Sequence, residues 1–250
     1  MTMPKLHRAL PPPLWRLLPR HARGLPFGIP ALDALLPGGL PRGRITAFEA
    51  PLGSGGTALL LALAETTLRA DEGVAFVDAA RTLAPQAAAH LADLGRFWVV
   101  RPRGTESAWW CADVLLRTGA FGLVVVDQAP APHRHVAVRL QRLASDNDAV
   151  LVVRGARPPL AALILGVAPA ADGFVPALPG AGFAWPGPRS VRVTIEKGGA
   201  PRAAEVKVGI GLPDRLRPHW AVRDRRAGHS ARSTGGRTQR RRAAQPDWPA

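Results

Sequence analysis

The chain has 250 residues and a mass of 26.5 kDa; 47% of the residues are hydrophobic, and 33 Lys+Arg stand against 18 Asp+Glu, a formal net charge of +15. That length and apolar content supply one packed domain with appendages and exclude wholesale disorder. A single cysteine, Cys111, excludes an intrachain disulfide framework and a Cys-rich zinc module, and no apolar run approaches the roughly 18 residues a bilayer requires.

Residues 1–24 carry Lys5, Arg8, Arg16, Arg20 and Arg23 without one acid, a local charge of +5. Pro11, Pro12, Pro13 and Pro19 break up both a long helix and a secretory apolar stretch, so a cytoplasmic protein without membrane contact is expected. From Ile45 the pattern turns regular. Residues 45–49 read as a strand, 50–56 as a Gly-rich loop, and 57–70 as a helix rich in Leu and Ala with no Gly or Pro. There follow a strand over 74–78, a helix over 84–94, a strand over 98–100 and a helix over 106–117. Next come a Val-rich strand over 123–127, a helix over 136–144, an apolar strand over 149–153 and a short helix over 160–165. Strands alternating with helices predict an α/β fold, a mostly parallel sheet with helices on both faces. Beyond Asp172 the helical pattern stops, and 174–175, 191–196 and 205–208 read as strands of an antiparallel C-terminal extension. The chain divides into a basic, Pro-rich extension (1–24), a core domain (25–217) and a basic tail (218–250) whose Arg, Gly, Ser and Gln predict disorder. Residues 221–250 hold +6, which leaves only +4 on 25–220, so the excess base belongs mainly to the ends.

Strand, Gly-rich turn and helix form the layout of a phosphate-binding loop, in which G-x-x-x-x-G-K-[ST] wraps backbone N–H groups and a helix N-terminus around phosphates. The eight positions here are Ala50, Pro51, Leu52, Gly53, Ser54, Gly55, Gly56 and Thr57. Gly55 and the hydroxyl of Thr57 are kept; Ala50 replaces the first glycine, and Gly56 stands where the lysine belongs. That lysine balances charge on the β- and γ-phosphates, and glycine supplies only another N–H. Asp127, ending a hydrophobic strand, matches the acid that helps hold magnesium. A residual loop of Gly53, Ser54, Gly55, Gly56 and Thr57 with Asp127 is therefore expected, with nucleotide binding impaired or absent and no ATP or magnesium cofactor. The other reading of the same residues is a tight strand-to-helix connection.

Residues 32–45, from Leu32-Asp33-Ala34-Leu35-Leu36-Pro37-Gly38-Gly39 to Arg44-Ile45, resemble the opening of the ATPase core of the RecA superfamily. In the expected order come the loop, Ala75-Phe76-Val77-Asp78-Ala79, Leu83-Ala84-Pro85, Thr118-Gly119-Ala120 and Val124-Val125-Val126-Asp127, so the resemblance covers roughly 25–210 and implies a RecA-like P-loop core. Against that pattern the catalytic-glutamate position is Ala80, which cannot activate a water. The γ-phosphate-sensing glutamine position is Arg154, and the segments 128–135 and 155–159 are short for the recombinase's two DNA-binding loops. With these losses the chain resembles the ImuA proteins of bacterial mutagenesis cassettes. That resemblance implies a pseudo-ATPase accessory role in damage-induced (SOS) translesion synthesis. The implied partners are an ImuB-like polymerase homologue, an error-prone replicative-type polymerase and RecA itself. Two alternatives stand beside it: an atypical ATPase in which Arg44 or Arg81 replaces the lysine, and a cell-division inhibitor of the SulA kind, which ignores DNA.

Arg232, Arg237, Arg240, Arg241 and Arg242 offer a flexible cluster for nonspecific DNA binding through counterion release, with a solubilising tail as the plainer reading. Such a cluster lacks the fixed geometry that base-edge readout requires. Arg154 and Arg157, where a recombinase DNA loop would begin, are further candidates for phosphate contact. Trp248, isolated in a polar tail, is a candidate partner anchor. Of Trp109 and Trp110, on one helix, one is expected in the core and the other partly exposed. Cys111 reads as a small buried hydrophobe. His133 and His135 lack a third ligand, so no metal is expected. Ser54 and Thr57 have no identifiable base, and no catalytic residue is nominated.

Overall fold

The computed structural model describes residues 24–92, 94–170 and 189–208. All of these belong to the unit Met1–Leu216; Arg217–Ala250, with the tail arginines and Trp248, lies outside the described residues, as do residues 1–23 and the strand expected over 174–175. In chain order the elements are α1 (Pro30–Leu35), β1 (Ile45–Glu49), α2 (Gly56–Arg69), β2 (Gly73–Asp78), α3 (Pro85–Ala92), β3 (Phe97–Val100), α4 (Ala108–Arg117), β4 (Phe121–Asp127), α5 (Arg134–Asp146), β5 (Val150–Arg154), β6 (Leu163–Pro169), β7 (Arg189–Lys197) and β8 (Ala203–Val208). They form one eight-stranded sheet in the order β3-β2-β4-β5-β1-β6-β7-β8. Strands β1 to β6 run parallel, and β7 and β8 add antiparallel at one edge.

Alternation along the strands sorts the core into two layers. Phe76, Leu123, Val125, Val150, Val152 and Phe48 face α1, α2 and α3, while Ala75, Val77, Val124, Val126, Leu151 and Val153 face α4 and α5. Covered on both sides, β2, β4 and β5 are buried at every position, which explains their near-continuous Val runs. The α/β architecture with its antiparallel C-terminal end is thus as the sequence predicts.

One element differs. Residues 160–165, expected as a short helix, supply the start of β6. Leu160 adopts φ 68°, Ala162 N–H donates to the Ile45 carbonyl at 2.9 Å, and Thr46 pairs with Leu163. Leu163, Ile164, Leu165 and Val167 are all buried. A six-residue apolar run with both faces covered has neither the period of 2 nor that of 3.6, so pattern alone cannot separate strand from helix. As a result β5 connects to β6 across β1 through residues 155–162 without an intervening helix.

At the end of the sheet where the parallel strands begin, Arg42 donates to both oxygens of Glu72 at 2.6 and 2.9 Å and to the Asp148 carbonyl at 3.0 Å. This clamp joins the approaches to β1, β2 and β5. Glu72 is 9% exposed, so losing its partner strands a poorly hydrated carboxylate. Arg42→Leu is expected to lower stability by about 1.5–3 kcal/mol. Urea unfolding at constant slope checks this, and adding Glu72→Leu to Arg42→Leu should recover part of the loss.

Candidate functional site

The loop after β1 keeps the backbone layout of a phosphate site. Ser54 N–H donates to the Pro51 carbonyl at 3.1 Å, and Gly55, at φ 95°, is the left-handed residue that turns the chain into α2. A side chain at that φ would be strained, so glycine is required there. The N–H groups of Gly56, Thr57 and Ala58 meet no protein acceptor among the described residues, as the first turn of a helix dictates. Ser54 is 3% exposed, and its Oγ has no hydrogen-bond partner there.

What fills the space in front of this loop is Arg154. It ends β5 in register with Asp127 on β4 and Phe48 on β1, so its side chain projects to the α2 side. Its Nε donates to Asp127 Oδ1 at 2.5 Å, its Nη2 to Oδ2 at 2.7 Å, and its Nη1 to Thr57 Oγ1 at 2.7 Å. Arg154 is 1% exposed, the largest side chain buried to that degree. The planar guanidinium fork matches a carboxylate edge-on, a geometry that lysine cannot reproduce. Burial raises the Asp127 carboxyl pKa, against the opposing pull of the Arg154 bonds and with a further push from Asp78.

Gly56 belongs to the same arrangement. A Cβ there would fall 2.6 Å from Ala50 Cβ, 3.2 Å from Arg154 Cδ and 3.3 Å from Arg154 Nη1. The alanine in place of the first loop glycine, the glycine in place of the lysine and the arginine at the strand end therefore interlock. Ala50 and Arg154 occupy the volume that a side chain at position 56 would need, and Gly56 leaves it to them.

A second ion pair sits beside the first. Asp78 ends β2 in register with Asp127 and is fully buried. It accepts the N–H groups of Thr82 at 2.8 Å and Leu83 at 3.2 Å and the Nε of Arg101 at 3.0 Å; Arg101 in turn donates to the Leu83 carbonyl at 2.6 Å. Two carboxylates lie side by side, each held by an arginine from the next strand outward.

The structure corrects the reading of Arg154 as a surface phosphate contact: it is buried, because Asp127 and Thr57 take three of its donors. Arg157 is half-exposed, but it donates to Glu49 and, at 2.9 Å, to Glu196, so two carboxylates already surround it. That hydrogen bond and the Arg157 charge hold the Glu49 carboxyl below its ordinary value. Arg44 precedes β1, at the far end of the strand from the loop, and Arg81 donates to the Pro102 carbonyl at 3.4 Å. Neither reaches Thr57; the arginine that does is Arg154, which the sequence pattern does not assign to that role. The signal for it was an arginine ending the strand beside Asp127. Ala80 lies exposed in the turn after β2. Trp109 is buried, its Nε1–H donating to the Pro130 carbonyl at 3.0 Å, while Trp110 is 68% exposed; Cys111 is buried, which pushes its thiol pKa up. The His133 and His135 rings stack at 5.7 Å.

Removing one member of a buried ion pair leaves the other uncompensated, at a cost of about 3–5 kcal/mol. Arg154→Met should therefore destabilise the protein by that amount in denaturant titration. Arg154→Met with Asp127→Leu should regain most of it, giving a coupling energy far outside additivity.

Residues 22–155 match the family model for the RecA N-terminal domain. The RecA protein of Streptomyces avermitilis is 40% identical over 109 residues, 43% of this chain and 29% of its own length. That of Clavibacter michiganensis subsp. michiganensis is 41% identical over 109 residues, 43% of this chain and 30% of its own. The matched stretch thus spans less than a third of either RecA protein. The crystal structure of the RadB recombinase superposes with a TM-score of 0.57 at 18% identity, covering 74% of this chain and 96% of that one, a likeness of fold. Strand order, the loop before α2 and a family match over more than half of its residues agree: this chain belongs to the RecA N-terminal domain family.

Proposed function

We propose that the chain is a non-catalytic RecA-like accessory protein of damage-induced translesion synthesis. In this reading it binds partner proteins through its folded core and DNA, without sequence preference, through its basic end. The partners are those implied by its resemblance to the ImuA proteins: a polymerase-like ImuB protein, an error-prone replicative-type polymerase and RecA.

One observation carries the non-catalytic part. In a P-loop ATPase the loop hydroxyl and the strand-end acid hold magnesium, and the lysine meets the phosphates. Here the hydroxyl of Thr57 and both oxygens of Asp127 are taken by Arg154. A metal ion at this place would compete with a guanidinium already seated on its ligands, and like charges at such a distance repel strongly in a buried setting. The residues do not fit a magnesium nucleotide, and no catalytic step is derived through one. With Ala80 at the glutamate position there is also no base to activate a water.

A second reading, an ATPase with a compensated loop, has a single feature in its favour: Arg154 does bring a positive charge to the loop. All three of its bonds, however, run to this protein's own side chains. Calorimetric titration with ATP and magnesium at low salt separates the two. No binding up to millimolar nucleotide is expected, and micromolar affinity with magnesium-dependent turnover would sink the proposal. Gly56→Lys alone should destabilise the protein by about 1–3 kcal/mol through overpacking and bind nothing. The triple variant Ala50→Gly, Gly56→Lys, Arg154→Gln frees Thr57 and Asp127 together and is the smallest change expected to admit nucleotide.

The DNA part rests on the ends of the chain, where +11 of the +15 formal charges lie, and on Arg157 being flanked by carboxylates. Gel-shift titration over a salt series should give a log–log slope of about −0.9 per phosphate neutralised on duplex DNA. Deleting residues 218–250 should flatten that slope and weaken binding equally for unrelated sequences; unchanged affinity would move the DNA surface to the core.

A further inference from the structure

Most arginines of the described core lie within 4.0 Å of a carboxylate, among them Arg42, Arg101, Arg139, Arg154, Arg157 and Arg192. Arg44 and Arg202 are among those that do not. Among the described residues neither side chain has a hydrogen-bond or ion-pair partner, and both line the same cavity, of about 520 Å³. The cavity lies at the end of the sheet opposite the Arg154 site, between the α1–β1 connection and the β7–β8 turn. Its floor is apolar, formed by Leu35, Leu36, Leu163 and Ile195, and among the described residues no acidic side chain lines it.

The walls are fixed by backbone. The β7–β8 turn is pinned by the Ile195 N–H to Arg202 carbonyl bond at 2.9 Å. Gly198, at φ 93°, seats the turn so closely on the start of β6 that a Cβ there would fall 2.4 Å from the Ala162 carbonyl oxygen. The mouth is therefore preformed, with two uncompensated cations above an apolar floor. Apolar pockets of roughly 300–1,000 Å³ with a few fixed polar groups are the common form of small-ligand sites.

We infer that this cavity is a binding site for a small amphipathic anion, a carboxylate, sulfonate or phosphate on an apolar body, with Arg44 and Arg202 holding the anionic group and Leu36 and Ile195 the apolar part. The two guanidiniums line one cavity with no counter-charge among the described residues, and an anion bound there supplies one while the attached apolar surface leaves water. The site is independent of the loop before α2 and of the reading given to it.

The test uses the full chain and 8-anilinonaphthalene-1-sulfonate, an aromatic sulfonate that fluoresces when its ring system is buried. One probe per chain is expected, displaced by octanoate but not by 1-octanol or acetate, and weakened by added salt. Arg44→Gln with Arg202→Gln should lower the affinity at least tenfold. Arg103→Gln with Arg134→Gln, two exposed arginines elsewhere, should leave it unchanged. Both changes in the first pair lie on exposed, unpartnered side chains, and an unaltered thermal midpoint verifies that the fold is intact. Absence of probe binding, equal displacement by the neutral alcohol, or full binding by the Arg44/Arg202 double variant each overturns the inference.

Discussion

The architecture around the loop before α2 depends on where the Arg154 charge goes. Guanidinium does not deprotonate inside a protein, so a fully buried arginine requires an anion placed beside it. The sheet supplies that anion by register: Arg154 and Asp127 are opposite one another on adjacent parallel strands, and both face α2. Two of the arginine's donors go to the carboxylate and a third to Thr57, which ties β4, β5 and the first turn of α2 into one unit. The absence of a side chain at Gly56 is the condition for it, since the guanidinium lies against the space a Cβ would enter.

Across the ends of the strands this becomes a row of four charges, two central carboxylates flanked by two arginines. Arg101 follows the strand β3 and binds Asp78 on β2; Asp78 pairs in register with Asp127 on β4, and Asp127 is held by Arg154 on β5. Two adjacent buried carboxylates repel, and each is stabilised by a cation on its outer side. In a fold whose ligands bind at the carboxyl ends of parallel strands, such groups would ordinarily be left free to meet a ligand. Here they are spent on one another. The same holds farther along, where Glu49 and Glu196 enclose Arg157. At this end of the sheet Arg101, Arg154 and Arg157 stand against Asp78, Asp127, Glu49 and Glu196, so the charge is nearly balanced.

The fold was largely legible because buried parallel strands tolerate little besides Val, Ile, Leu and Ala, and β2, β4 and β5 announce themselves as such runs. The departures at Ala50 and Gly56 were legible as well, being measured against a fixed spacing. Two features were not. The run at 160–165 is apolar on both faces, so its periodicity does not separate strand from helix, and the pairing with β1 decides it. Arg154 follows an apolar strand and precedes Gly155, where chains commonly reach solvent, so its local sequence is that of a surface residue. Its burial depends on register between β4 and β5, a long-range property that no local window contains. The six-residue α1, opened by Pro30, is too short to give a periodic signal in the sequence.

The interlock also explains why the loop's departures occur together. A lysine at position 56 would collide with Ala50 and the Arg154 side chain. Glutamine at 154 with the rest unchanged would leave Asp127 buried without its cation. Glycine at 50 alone would relieve one contact and leave the guanidinium seated on Thr57 and Asp127. Each single step back toward the usual pattern is therefore neutral at best or costs stability, and none of them alone frees Thr57 and Asp127 together. Loss of the lysine is held in place by packing and charge, so the chain sits in a separate local minimum and not one substitution away from an open P-loop.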